Sequence, residues 1–322
     1  MANKIFHYGG QAVLEGVTIR GQKNMVTVVR KPDGEMVIDK QPLSTVYTGW
    51  MRSTPFIRGI IVLIESLVFG VQTLTYSANV ALGEENAKKT GWWVYIVLAF
   101  SMVFAVALFF LGPLFLTRLT GVQATSLLFS LVEGIIRLAM FLVYLWLVSL
   151  MPDIKRVFAF HGAEHKAVNG FEAGVPLEPE SIRKFSKAHV RCGGSFLFVV
   201  MIIAILVFSV VSFFIGKHLW LIVLSRVVLV PVIAALSYEF IHFGANHVNN
   251  IIIKILLTPG LWLQALTTRE PDDEQLKVGI MAMKTAVEAD QEIPPSVTVP
   301  VVEPVVPPAV PPVIPPQNEQ SV

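Results

Sequence analysis

The sequence predicts a membrane α-helical protein with about four transmembrane helices, two in-plane or re-entrant helices and a small N-terminal β-rich element. Three observations lead there. Of 322 residues, 54% are hydrophobic and only 15% charged, against about 25% charged in a typical soluble domain. Four segments, 93–117, 124–150, 195–216 and 219–240, are apolar over the roughly 20 residues that a helix needs to cross a bilayer. Finally, Lys and Arg are spread unevenly between the connections.

The N-terminal region, 1–58, is expected to be cytoplasmic and to contain a β-hairpin. "MVTVVRKPDGEMVIDK" (25–40) has two β-branched runs joined by Pro-Asp-Gly, a hairpin signal. Before it, Gly9, Gly10, Gly16 and Gly21 crowd one short stretch, which implies tight turns or a close approach of the backbone. In that stretch Glu15 is a candidate catalytic carboxylate and Arg20 a candidate anion contact, although the spacing is neither GxGxxG nor a P-loop. The bland alternative is a turn leading into the hairpin. "MANKIFHYGGQAVLEG" has no apolar core followed by a cleavage site, so no signal peptide is expected.

Residues 59–90 are expected to hold an in-plane or re-entrant helix. The apolar run 60–74 is short and contains Glu65 and Gly70. Two transmembrane helices follow in 93–150, with Trp92 and Trp93 at an interface position. Glu133 and Arg137 stand i, i+4 within the second of them. Charges there are costly unless paired or facing a polar interior. They either line a substrate path or form a structural ion pair within one helix. The loop 151–194 carries histidines and the one cysteine, Cys192, which rules out an intramolecular disulfide. The stretch 195–240 should form a helical hairpin turned at "GKH" (216–218), with Arg226 snorkelling toward the outer interface. Region 241–290 reads as cytoplasmic and amphipathic, its apolar run 251–266 interrupted by Pro259-Gly260. The tail, 291–322, is proline-rich, with ten prolines between Ile293 and Gln317. It is expected to stay extended and disordered.

Orientation follows from the positive charges. Residues 1–91 hold ten Lys and Arg, 151–194 seven and 241–322 four, while the two remaining connections hold Arg118 and Lys217 alone. The bias places both termini and the histidine loop on the cytoplasmic side of a bacterial inner membrane. The net charge of +2 is too small to suggest nucleic-acid binding. The lipid bilayer is the expected partner, with other membrane proteins or a second copy of the chain as further partners.

The loop carries the chemistry. In "FHGAEHKAVNGFE" (160–172), His161 and His165 fall one helical turn apart on a shared face, Glu164 lies beside them, and Glu172 continues the stripe. Two imidazoles at i, i+4 suit one divalent metal, and zinc is the natural choice. The nearby carboxylate is placed as third ligand or as general base for a bound water. The alternative is a polar, solvated helix whose histidines bind nothing. Further along, His189 and Cys192 stand three apart, with Arg191 between them as a candidate interface anchor. Glu239 closes the last span. By topology His161, His165, His189, Cys192 and Glu239 share one membrane face, which makes them a candidate metal set with Glu164 as the candidate catalytic group.

Several motifs stand in one order: "GGQAVLEGV", "FIRGIIVLIESLVFG", "FHGAEHKAVNGFE", "VRCGGSF", "RVVLVPVIAALSYE" and "LTTREPDDEQLKVGI". Together they resemble the YqhQ-like family of bacterial membrane proteins, a domain of unknown function that carries the label of a predicted metal-dependent enzyme. The resemblance runs from about residue 7 to 285. It implies a multi-span membrane protein and attaches the metal to His161, Glu164 and His165. The chain departs from the family at Thr18-Ile19, Val190 and Gly194, the last two flanking Cys192. Three functions are compatible with these residues. One is a metal-dependent hydrolase acting on a lipid head group, a peptide or a small phosphorylated metabolite. The second is a membrane scaffold or accessory factor without chemistry. The third is a small-solute transporter built on Glu133, Arg137 and Arg226.

Overall fold

The computed structural model describes residues 6–83, 93–122, 127–215, 219–247 and 250–291. The "GKH" turn, Trp92 and the proline-rich tail from Glu292 onward lie outside the described residues.

The N-terminal region forms a four-stranded antiparallel sheet in sequential order: β1 (Gly9–Val13), β2 (Gly16–Arg20), β3 (Asn24–Arg30) and β4 (Met36–Pro42). The expected hairpin joins β3 to β4. Its turn is closed by Gly34, whose φ of 91° a side chain would strain, and by hydrogen bonds between Lys31 and Glu35. The glycine-rich stretch is a second hairpin rather than a set of turns. Gly9 to Val13 pair with Arg20 to Gly16 across a two-residue loop. That loop places Glu15 at a φ of 54°, an uncommon conformation for a residue with a side chain. Leu-Glu is not a recognised hairpin dipeptide. The ion pairs of Glu15 with Arg30 and Arg156 hold it there.

Period-two alternation gives the sheet two unlike faces. Val17, Ile19, Val26 and Val28 pack on α5 (Pro152–Glu172) and α10 (Asp273–Gln291), against Phe160, Ala167, Val168, Val278, Ala282, Met283 and Ala286. The other face turns polar groups toward α1 (Ile57–Leu82). Gln11 bonds Thr73, the Leu14 amide bonds the Ser77 hydroxyl, and Arg20 bonds Glu65.

The helix α1 corrects the expectation of a short element at 60–74. It runs for 26 residues, because Glu65 and Gly70 do not break it. Glu65 is paired with Arg20 and Arg52, which offsets the cost of burying its charge. Ile64, Leu67, Val68, Val71 and Leu74 remain exposed on the side away from the sheet.

The apolar helices are α2 (Trp93–Val106), α3 (Gly112–Leu119), α4 (Leu127–Val148), α6 (Gly193–Ile215), α7 (Leu219–Val228), α8 (Val230–Asn246) and α9 (Ile251–Thr267). A π turn, Ala107–Leu111, joins α2 to α3. Four stretches are long and apolar enough to cross a membrane: Ile57–Leu82, Ala99–Leu119, Leu127–Val148 and Gly193–Val211. They suggest a multi-pass membrane protein. The expected single span 219–240 is two helices, α7 and α8, bent by 45° at Leu229. Pro231 in the first turn of α8 removes a backbone donor and disfavours continuation of α7. The expected break at Pro259 is absent, and α9 continues through it. Contacts with α6 hold Gly260 against Ser195, and this tertiary packing outweighs the local proline cost.

Candidate metal centre

The helix α5 begins with Pro152 in its first turn and ends at Glu172, before Gly174 at φ 71°. This matches the sequence expectation. Its surroundings do not match the solvated alternative, since every residue from Phe160 to Val168 except His161 is buried. Two glycines permit the crowding. A Cβ on Gly162 would stand 2.1 Å from the Arg269 carbonyl oxygen, and one on Gly10 would stand 2.7 Å from the Glu164 carboxylate. The "GG" of the N-terminal motif is therefore where β1 closes over the acidic residue of α5.

His161 and His165 face one another with ring centroids 4.3 Å apart. Their tautomers follow from their backbone partners. His161 Nδ1 donates to the Thr267 carbonyl at 2.8 Å, and His165 Nδ1 donates to the Lys187 carbonyl at 2.6 Å. Both Nε2 atoms therefore carry lone pairs. The Cys192 thiol stands 3.2 Å from His161 Nε2. Among the described residues His165 Nε2 is buried without a hydrogen-bond partner, as is Glu164 Oε2, 3.5 Å from it. The ligand atoms of His161, His165 and Cys192 lie within 4.8 Å of one another.

Burial sets the protonation states. It lowers the His161 pKa and brings that of His165 down to about 3, with the His161 ring adding to the effect. It pushes Glu164 up to about 8 and Cys192 up to about 12, Glu164 contributing to the latter. The imidazoles are thus neutral, as metal ligation requires. Two nitrogens and a sulfur, with a carboxylate oxygen adjacent, form a donor set that fits zinc. The orphaned His165 and Glu164 atoms are what a cation there would satisfy, because buried polar atoms otherwise find partners.

The remaining candidates stand elsewhere. His189 lies beside His165, ring centroids 5.9 Å apart, but its Nε2 turns to Glu172 at 3.4 Å. Glu172 also pairs with Arg191. Burial would raise the Glu172 pKa, but these partners outweigh it and hold the carboxyl down at about 2. Glu239 does not join the histidines. Arg58 takes both its oxygens and the Phe56 amide bonds Oε1 at 2.9 Å, so the expected convergence with the histidines does not occur. Glu15 and Arg20 serve the sheet. Glu133 and Arg137 are paired within the bundle of apolar helices.

Sequence reasoning missed the groups that orient the ligands. The Thr267 and Lys187 carbonyls carry no sequence signal. Gln264 does carry one, as a glutamine inside an apolar helix. It is fully buried, accepts from the His189 amide at 2.8 Å, and donates to the His189 carbonyl and the Ser195 hydroxyl, each at 2.7 Å. It thereby pins the loop that delivers Cys192.

A family model described as "Protein of unknown function (DUF1385)" matches residues 54–289, a stretch that includes all three converging ligands. The chain is 37% identical over 289 residues to a Bacillus subtilis (strain 168) protein named "Uncharacterized protein YqhQ", covering 85% of this chain and 90% of that protein. No solved structure matches the chain.

Proposed function

The chain belongs to the DUF1385 family, and from that premise we propose that it is a metal-dependent membrane enzyme of hydrolytic type. Its site would hold a divalent cation, zinc by donor set, on the cytoplasmic face of a bacterial inner membrane. The observation that carries this reading is the convergence of two neutral imidazole Nε2 atoms and the Cys192 thiol beside an unpartnered buried carboxyl. His161, His165 and Cys192 hold the cation. When bound, it supplies Lewis acidity and lowers the pKa of water. Glu164 is the proton-carrying group, because its pKa of about 8 lets Oε2 hold or release a proton near neutral pH. Gly10 and β1 screen it from water. The cytoplasmic placement is supported by the Lys and Arg bias and by the packing of α5 on the sheet rather than among the apolar helices.

Metal analysis of the purified protein tests this reading. About one zinc per chain is expected, and a metal content at background after zinc loading would sink it. Binding must strengthen as pH rises, because the Cys192 thiol stays protonated until pH about 12 unless metal displaces the proton. Zinc affinity measured by chelator competition should gain roughly tenfold per pH unit between pH 6 and 8, with protons released to the buffer on binding. A flat profile would remove the thiol from the ligand set.

A second reading, a non-catalytic metal that ties α5 to the start of α6, is favoured by one observation. His165 and Glu164 are 1% and 4% exposed, and closed sites are the structural kind. Glu164→Gln separates the two. As proton carrier, Glu164 is dispensable for binding, so the variant keeps its zinc. As fourth ligand, its loss lowers affinity on the order of 10–100-fold or more and lowers the unfolding temperature with it.

A further inference from the structure

The apolar helices bury more positive than negative charge. Over 93–150 and 193–238 the sequence has one carboxylate, Glu133, and two arginines share it. Arg137 Nη2 donates to Glu133 Oε1, and Arg226 Nη2 donates to Oε2 at 2.5 Å. The three residues are 1%, 5% and 3% exposed for Glu133, Arg137 and Arg226. Arg137 has a second acceptor in the π turn, the Phe109 carbonyl at 3.0 Å, and such turns occur often at functional sites. Among the described residues the Nε and Nη1 of Arg226 are buried without a hydrogen-bond partner, and its guanidinium stacks on Phe208 at 4.0 Å.

Two cations against one anion leave an uncompensated charge in an apolar setting. A buried charge normally finds a counter-charge. These segments hold no further carboxylate, and among the described residues Arg226 pairs with Glu133 alone, which leaves a place for a counter-charge from outside the chain. Arg226 and Glu133 each lie roughly 10 Å of helical rise from the starts of α7 and α4, a depth from which an arginine side chain reaches a head-group phosphate. Arginine is also the side chain best suited to a phosphate in a poorly hydrated site.

We propose that Arg226, at the junction of α4, α6 and α7, is an anion-binding site that takes a phosphate group through its free Nε and Nη1. A phospholipid head group and inorganic phosphate share this chemistry, and two arms of one experiment distinguish them. The wild-type protein is held in a phosphate-free maltoside detergent, alone, with inorganic phosphate, and with phosphatidylglycerol added to the micelles. Its unfolding temperature is then read. A rise in phosphatidylglycerol alone identifies a lipid phosphate, and a rise on adding inorganic phosphate identifies a free anion. No rise in either arm overturns the proposal. Arg226→Gln removes the charge and should abolish the rise, whereas a rise that persists in this variant belongs to other basic residues and overturns the proposal. If Arg226→Gln does not fold, Arg226→Lys is read instead. It keeps the charge but loses the second nitrogen donor, so a diminished rise supports the site and an unchanged one overturns it.

Discussion

Replacing His161 and His165 together by alanine is expected to leave the protein without stoichiometric metal. The two rings supply two of the three converging donors, and each is pre-oriented by a backbone carbonyl, Thr267 for one and Lys187 for the other. Their loss leaves Cys192 with Glu164 alone, a pair that does not make a four-coordinate site. The single variants should differ. His165 is 1% exposed and among the described residues its Nε2 has no hydrogen-bond partner, so His165→Ala removes a ligand and also an unsatisfied buried atom. It should lose most of its zinc while the apo protein remains folded. The measurement is metal content per chain after zinc loading and desalting, alongside circular dichroism. Equal zinc in wild type and double variant would rule out this centre, whatever the fold does.

Removing the Glu133 carboxylate is expected to give the largest loss of stability of any single substitution in the helix bundle. Glu133→Leu leaves Arg137 and Arg226 buried without the carboxylate they share. Breaking a buried pair by deleting one partner typically costs about 3–5 kcal/mol. Here one carboxylate serves two arginines, so the upper part of that range is expected. The double variant Glu133→Leu/Arg137→Leu should recover part of the loss, because it removes one of the two stranded charges. Unfolding of purified protein in detergent, followed by circular dichroism, reads both. A Glu133→Leu variant as stable as wild type would mean the two arginines find other compensation, and a double variant no better than the single would place the whole cost on Arg226.

Both results bear on what the bundle charges do. As a purely structural pair within one helix, Glu133 and Arg137 would be self-contained. The third member, Arg226, comes from α7, so the cluster ties α4 to α7 across the bundle.

Much of the secondary structure was legible because it rests on local rules. The spans in α2 to α4 and in α6 are long apolar runs, and the β3–β4 hairpin is announced by Pro-Asp-Gly between β-branched runs. Helix α5 stops at Gly174 as its composition directs. Helix termini and turns of this kind depend on a few neighbouring residues. The misjudged elements are those where distant contacts override a local cost. Pro259 is accommodated inside α9, and Glu65 is carried within α1 by Arg20 and Arg52 from the N-terminal region. The β1–β2 hairpin was hidden because its turn, Leu14-Glu15, is stabilised by Arg156, a residue far along the chain.

The site divides the same way. By itself the sequence determined that His161 and His165 share a helix face, since 3.6 residues per turn fixes that spacing, and it drew attention to Cys192. Only the tertiary structure decided which donors meet. Cys192 reaches His161 because Gln264 pins the loop before α6. Glu239 goes to Arg58, and His189 goes to Glu172. Side chains that a topology argument groups together still choose the nearest opposite charge or free hydrogen-bonding group, and that choice depends on distances of a few ångström set by packing.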